Sequence, residues 1–255
     1  MNIDFQGRCA LITGATGGIG SAIAKEFYNS GANIVITGRD MDKLNALRDK
    51  IVAQTPKDGI RHIKPTCVAL DLTAIDAANT LIDNTIGSLG QLDILINNAA
   101  KVDGQMFLKT DQSFIQHIMH TNFTVPYNLM QLSLPHMLRG KYGRIINITS
   151  IAGQIGDAGM SAYAASKGAL ASATKSVATE YGRRGITANC IAPGIVDTDA
   201  AKKLPEERQK ELKSQIPMRR FARPEEVAYM ATFLASEYAA YVTGQQINVN
   251  GGLLR

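Results

Sequence analysis

Short apolar, β-branched runs alternate with helix-patterned segments along the whole chain, and this alternation most restricts the fold. Residues 9–13 (CALIT), 33–37 (NIVIT), 66–70 (TCVAL), 92–96 (LDILI), 144–149 (RIINIT), 186–192 (ITANCIA) and 246–250 (QINVN) read as strands. Between them lie periodic stretches such as 41–52 (MDKLNALRDKIV) and 162–182 (AYAASKGALASATKSVATEYG). The pattern predicts the α/β class, with a parallel sheet covered by helices on both faces. Right-handed crossovers then carry the ends of the strands to one carboxyl edge, where ligands bind in such folds. The 255 residues suit a single domain, 1–255, with no internal repeat and no low-complexity linker. The polar stretch 197–220 breaks the rhythm and reads as a helical insertion over that edge, the place of a substrate lid.

The first strand runs directly into Gly14-Ala-Thr-Gly17-Gly18-Ile-Gly20 and then into the helical pattern SAIAKEFYNSG. Strand, glycine turn and helix are the setting that a phosphate-cradling loop requires. Glycines permit the tight turn and let backbone approach a pyrophosphate, while the helix N-terminus offers N–H donors and a positive dipole end. The spacing Gly-x3-Gly-x-Gly therefore predicts dinucleotide binding on a Rossmann-type, doubly wound parallel sheet. A glycine-rich turn without a ligand is the bland alternative.

Tyr163 and Lys167 stand four residues apart on a helical segment, and Ser150 closes the run RIINITS thirteen residues before the tyrosine. Residues at i and i+4 share a helix face. A free phenol, with pKa of about 10, exchanges protons poorly near neutrality, and a neighbouring ammonium is expected to lower it. A serine hydroxyl from the adjacent strand can hold a carbonyl oxygen beside that phenol, which equips the chain for proton transfer at a carbonyl or alcohol oxygen. Alone, a Tyr-x3-Lys pair is ordinary helix surface. The segment 111–138 is helical in pattern yet contains Pro126. Proline has no N–H for the carbonyl of Asn122, so a kink and a free carbonyl are expected there; a kink forced by packing is the alternative.

TGATGGIG, NNAA at 97–100, Asn122, Ser150, Tyr163, Lys167 and PGIVDT at 193–198 appear in the order and spacing of the short-chain dehydrogenase/reductase family, which the chain resembles over essentially its whole length. Ala100 departs from the family's usual glycine, and its methyl group is tolerable unless φ is positive. The resemblance implies that Gly14, Thr16, Gly17, Gly18, Ile19 and Gly20 cradle the cofactor's phosphates. It gives Asp71 and Leu72 to the adenine ring, and Asn98, Ala99 and Ala100 to the adenosine ribose and neighbouring backbone. Pro193 and Gly194 make the turn that presents Val196 and Thr198 to the nicotinamide carboxamide. Where NAD-preferring relatives carry an acidic residue, this chain has Gly38, followed by Arg39. A guanidinium can meet a 2′-phosphate bidentately, so NADP(H) is the expected cofactor; a solvated Arg39, with Asp40 as ion partner or helix cap, is the alternative. The implied chemistry is carbonyl reduction by NADPH. Tyr163 protonates the oxygen, Ser150 orients it, Lys167 lowers the tyrosine pKa and binds the nicotinamide ribose, and the Asn122 carbonyl holds a water that resupplies the proton.

Within the family, KYGRIINITSIAG, RRGITANCIAPGIVDTD and ARPEEVAYMATFLASEYAAYVTGQQINVNGG are most similar to reductases of 3-oxoacyl groups carried on acyl carrier protein. In those enzymes basic residues near the site entrance dock the acidic carrier, and they correspond to Lys141 and Arg184. Acetoacetyl-CoA, a sugar or a steroid-like ketone is the alternative substrate. A non-catalytic dinucleotide sensor is disfavoured by the intact Tyr163 and Lys167. Relatives pair the catalytic helix and the C-terminal strand across subunits, so a homotetramer is expected. The net charge of +5 is scattered and Trp is absent, which argues against specific nucleic-acid binding. Cys9, Cys67 and Cys190 lie in or beside core strands without metal or disulfide spacing, and His62, His117, His120 and His136 suggest no metal. With no leader-like start and no apolar run of about 20 residues, a cytoplasmic, membrane-free protein is expected.

Overall fold

In a computed structural model describing residues 3–55 and 63–254, the alternation resolves into seven strands and ten α-helices. In chain order these are β1 (Cys9–Ile12), α1 (Gly18–Asn29), β2 (Asn33–Gly38), α2 (Met41–Gln54), β3 (Thr66–Ala69), α3 (Ala77–Leu89), β4 (Ile94–Asn97), α4 (Gln112–Met119), α5 (Val125–Gly140), β5 (Gly143–Ile148), α6 (Ala152–Ile155), α7 (Ser161–Tyr181), β6 (Ile186–Pro193), α8 (Asp199–Lys202), α9 (Glu206–Gln215), α10 (Pro224–Ala235) and β7 (Gln246–Val249). Every strand read from the sequence is present, with ends moved by one or two residues. The sheet order is β3-β2-β1-β4-β5-β6-β7, and the strand pairs are parallel. The order reverses between β1 and β4, so a crevice opens beyond their carboxyl ends, beside the glycine loop.

Strand alternation divides the core between the two faces. Ile146 and Ile148 of β5 join Ile23 and Phe27 of α1 and Val227 and Leu234 of α10 on one face. Ile145 joins Leu81 of α3, Leu129 of α5 and Leu170 of α7 on the other. All six residues of β5 are buried, as a central strand covered on both sides requires.

The segment expected as one kinked helix is α4 and α5 joined by a π-helical turn, His120–Thr124. Val125 N–H reaches back five residues to the His120 carbonyl. Pro126 follows inside the first turn of α5. A proline that cannot close the four-residue bond to Asn122 explains why the ladder widens here.

The insertion at 197–220 holds α8 and α9 and rises from the carboxyl end of β6. Its base closes where Asp197 N–H donates to the Ala222 carbonyl at 2.8 Å, and Ile216 and Phe221 pack with Leu253 of the tail. Lys141 precedes β5 and Arg184 precedes β6, so both stand at the strand-entry edge. They line one groove of about 500 Å³ with Leu138, Glu180, Tyr181 and Arg183. Ser150 lies beyond the far end of β5, about 20 Å of strand away. The expectation that these two basic residues flank the site entrance is therefore corrected: within one subunit they lie at the opposite edge. Among the described residues no helix is long and apolar enough to cross a membrane.

Candidate active site

Ser150 sits just past β5, where its Oγ accepts from Ala152 N–H at 3.1 Å. The inner face of α7 presents Tyr163, Ser166, Lys167, Leu170 and Thr174 to the sheet, all buried. The Ser150 hydroxyl stands beside the Tyr163 phenol, near enough to act on its pKa as a hydrogen-bonding neighbour. Lys167 is 3% exposed, and its ammonium donates to the Ile148 carbonyl at 2.8 Å, the last residue of the strand that delivers Ser150. Its Nζ lies 5.9 Å from the Tyr163 ring centre. The three residues singled out from spacing thus meet at one strand end.

Their electrostatics differ from expectation in one respect. Burial pushes the Tyr163 phenol up from its ordinary value, and the neighbouring Ser150 hydroxyl only partly offsets this. The expected lowering by Lys167 is not what this structure gives, because the ammonium is turned to a backbone carbonyl. Burial in turn drives Lys167 down to about 8, opposed by the nearby Cys190. A phenol held protonated at neutral pH is a donor, which suits the reductive direction.

Asn122 is 1% exposed, and its side chain does what the sequence did not suggest. The carboxamide oxygen accepts from Lys101 N–H at 2.8 Å, and Nδ2 donates to the Lys101 carbonyl at 2.9 Å and to Ser166 Oγ at 3.3 Å. Ser166 Oγ donates to the Tyr163 carbonyl at 2.7 Å. The π-turn is thereby tied both to the segment after β4 and to α7.

The residues assigned to the cofactor form a cradle that side chains would fill. Gly14 has φ of 63°, and a Cβ on it would stand 2.8 Å from the Ala99 Cα. A Cβ on Gly18 would stand 2.7 Å from the Thr198 methyl, and one on Gly20 would overlap the Gly14 carbonyl oxygen. Thr16, Gly17 and Gly18 are exposed at the start of α1, while Ile19 packs partly on the core. This helix has no side-chain cap and no acidic residue in its first turn, so its N–H groups and dipole are left for an anion. These features fit a dinucleotide pyrophosphate.

Asn98 is corrected in part, since its amide is spent on the loop itself. Nδ2 donates to the Thr13 and Gly14 carbonyls, each at 3.0 Å. Thr13 Oγ1 accepts from Asn98 N–H and Ala99 N–H, also at 3.0 Å, so the NNAA turn braces the glycine loop. Ala100 does not have positive φ, and its methyl group brings no strain. At the end of β2, Asp40 caps α2 by accepting from Asp42 and Lys43 N–H. Arg39 makes no hydrogen bond or ion pair among the described residues, and its charge reaches only as far as pulling Asp71 down, after the bonds from Thr73. Gly38 lies against Thr16, where a Cβ would meet Oγ1 at 3.2 Å. Leu72 is half-buried beside Asp71. Pro193 ends β6, and Gly194 passes so close to Asn250 that a Cβ would be 3.0 Å from its Cα. Val196 is buried, and Thr198 N–H returns to the Val196 carbonyl at 2.8 Å. No group of three His, Cys, Asp or Glu that could hold a metal exists among the described residues, and His62 lies outside them.

The chain is similar to known proteins over nearly its whole length. The family model described as enoyl-(acyl carrier protein) reductase matches residues 14–254. The 3-oxoacyl-[acyl-carrier-protein] reductase FabG of Rickettsia typhi is 38% identical, over 99% of this chain and 99% of that one. Its counterpart from Aquifex aeolicus is 36% identical over 99% and 100%, and that from Pseudomonas aeruginosa 35% over 98% and 99%. The crystal structure of a Sinorhizobium meliloti 1021 protein assigned as a short-chain alcohol dehydrogenase superposes with a TM-score of 0.91 at 32% identity, covering 99% of this chain and 98% of that one. The chain belongs to the short-chain dehydrogenase/reductase family and is an oxidoreductase acting on CH–OH groups.

Proposed function

We propose that this protein reduces 3-oxoacyl groups on acyl carrier protein to 3-hydroxyacyl groups with NADPH, in the cytoplasm. The observation that carries the reading is the buried Tyr163 phenol, with the Ser150 hydroxyl beside it and the buried Lys167 one turn along α7, on the edge where the glycine loop opens. The reduced dinucleotide supplies the hydride when bound. Ser150 and Tyr163 hold one substrate oxygen, and Tyr163 gives it a proton. Lys167 and the Asn122 carbonyl, with a water, return that proton from solvent. Two hydroxyl groups converging on one oxygen suit reduction at the carbon that bears it. The names of the full-length relatives support the 3-oxoacyl substrate. Arg39, with no ion pair among the described residues and with Gly38 rather than an acidic residue before it, supports NADPH over NADH. The exposed α8–α9 insertion, joined to the body at Val196–Ala222, serves as the lid.

The proposed assembly is a homotetramer. The outer face of α7 carries Ala165, Ala169, Ser172 and Ser176, small residues that let another helix approach closely, and β7 is an open sheet edge. Light scattering at micromolar concentration tests this, and a stable monomer refutes it.

The decisive experiment follows nicotinamide absorbance with acetoacetyl-carrier protein, acetoacetyl-CoA, a crotonyl thioester and unrelated ketones. Fastest turnover of the carrier-bound ketone with NADPH supports the proposal. Preference for a free ketone reassigns the substrate, and preference for the crotonyl thioester reassigns the reaction to a carbon–carbon double bond.

A further inference from the structure

Three polar side chains lie in one row across the core of the sheet, outside the candidate active site. Asn97 of β4 is the register partner of Asn147 of β5, and Asn147 is the register partner of Cys190 of β6. Their exposures are 3%, 0% and 1%. Asn97 Nδ2 donates to Asn147 Oδ1 at 2.8 Å and to the Pro126 carbonyl at 3.3 Å. Asn147 Nδ2 donates to Thr174 Oγ1 on α7 at 2.7 Å and approaches Met130 Sδ on α5 at 3.3 Å. Thr174 Oγ1 also accepts from the Cys190 thiol at 3.3 Å and donates to the Leu170 carbonyl at 2.7 Å.

This row is a poor way to hold a core together. Asn97 Oδ1 has no hydrogen-bond partner among the described residues. Apolar side chains of the same shape would fill the space without leaving a buried oxygen unpaired. What the row does is tie β4, β5 and β6 to α5 and α7. β5 grips α7 at two points from consecutive residues. The Asn147 side chain holds Thr174, and the Ile148 carbonyl holds Lys167. Thr174 and Lys167 are seven residues apart, two turns along the same helix face. Two grips fix how far α7 can slide along β5, and that register sets the distance between Tyr163 and Ser150. Through Asn97 the same node reaches Pro126, which follows the π-turn carrying Asn122.

We propose that Asn147 and Thr174 are positioning residues, whose hydrogen bond locks α7 and the π-turn helix in register on β5 so that Tyr163, Lys167 and Asn122 meet Ser150. The inference rests on the catalytic reading of Tyr163 and Lys167. Small misplacements at a reacting centre cost rate steeply, so a lost register should appear in turnover and not in binding.

The test compares Thr174→Val, which keeps shape and deletes the hydroxyl, with Thr174→Ser, which keeps the hydroxyl. Thr174→Val is expected to lower kcat with the best ketone substrate by about tenfold or more, with KM for NADPH and ketone little changed, while Thr174→Ser stays close to wild type. Unchanged kcat in Thr174→Val overturns the proposal, as does equal loss in both variants, which marks a packing effect. Should Thr174→Val fail to fold, Asn147→Ser carries the same comparison: lost kcat at constant KM supports the node, and unchanged kcat overturns it. Tyr163→Phe runs alongside. If it keeps full activity, the catalytic reading itself falls, whatever the Thr174 variants do.

Discussion

Lys167 is a cost that the fold carries at neutral pH. Its pKa falls from the ordinary 10.5 to about 8 because burial penalises the ammonium. The unfolded chain therefore binds more protons between those values, and stability rises as pH climbs through that window. Below it the penalty is fully present, on the order of 3 kcal/mol. Lys167→Met should abolish turnover yet raise the denaturant midpoint at pH 7, and its advantage over wild type should shrink by pH 10. Comparing the two proteins cancels other groups that titrate there, and a variant less stable at pH 7 would contradict this. Tyr163→Phe should keep fold and cofactor binding and lose roughly 10²–10⁴-fold in kcat, since only the proton donor is removed. A variant within about threefold of wild type would remove the tyrosine from its role. Arg39→Ala should raise KM for NADPH by roughly 10- to 150-fold and leave NADH nearly untouched, because only NADPH carries the 2′-phosphate; equal changes with both would make Arg39 a turn residue. Ser150, Tyr163 and Lys167 were legible because the i, i+4 spacing puts the pair on one helix face and the ordered motifs upstream gave that pair its meaning. The direction of the Tyr163 shift was not, since it depends on burial and on where the ammonium points. Asn97 read only as the first letter of NNAA, and Asn147 and Thr174 as isolated polar letters, because their partnership exists only through strand register and the packing of α7 on β5.

Elements were legible where periodicity or proline chemistry speaks. Pro126 announced a disturbed helix, and the disturbance is the π-turn that holds Asn122. The proposed lid was legible only as polar and helical, because α9 buries none of its residues and leaves no apolar stripe in the sequence. What anchors its end was invisible: Glu226 of α10 accepts from Arg220 twice, each at 2.7 Å, and from Arg223 N–H at 2.7 Å. The Arg220 bonds foremost, then the backbone bond, pull the Glu226 carboxyl down to about 2. A depressed folded pKa stabilises above the ordinary carboxyl range and is lost as pH falls toward 2. The group is a quarter exposed, so water screens it and Glu226→Gln should cost about 1 kcal/mol at pH 7. The gap between variant and wild type in urea melts should narrow by pH 3. A gap that persists unchanged into acid would place its cause outside the ionised carboxylate.

At the scale of the whole molecule, the sheet separates two jobs. The carboxyl edge holds the glycine loop, Ser150 and Tyr163, while the entry edge holds Lys141, Arg183 and Arg184 around one groove. Sequence order foretold the doubly wound sheet and the strands that Lys141 and Arg184 precede, whereas their expected place at the site entrance came from the resemblance and not from that order. If an acidic carrier protein docks there, its acyl group must travel on a tether of about 20 Å, the height of the sheet. Docking and chemistry are then separable. Lys141→Glu with Arg184→Glu should cut kcat/KM for acetoacetyl-carrier protein at low ionic strength, and the difference from wild type should fade with salt, because steering by exposed charge is screened. The same double variant should reduce acetoacetyl-CoA almost normally, since Ser150, Tyr163 and Lys167 are untouched at the other edge. Equal loss on both substrates would mean that the charge reversals disturb the fold. No loss on either would free the basic groove from carrier docking and shift the substrate toward a free ketone.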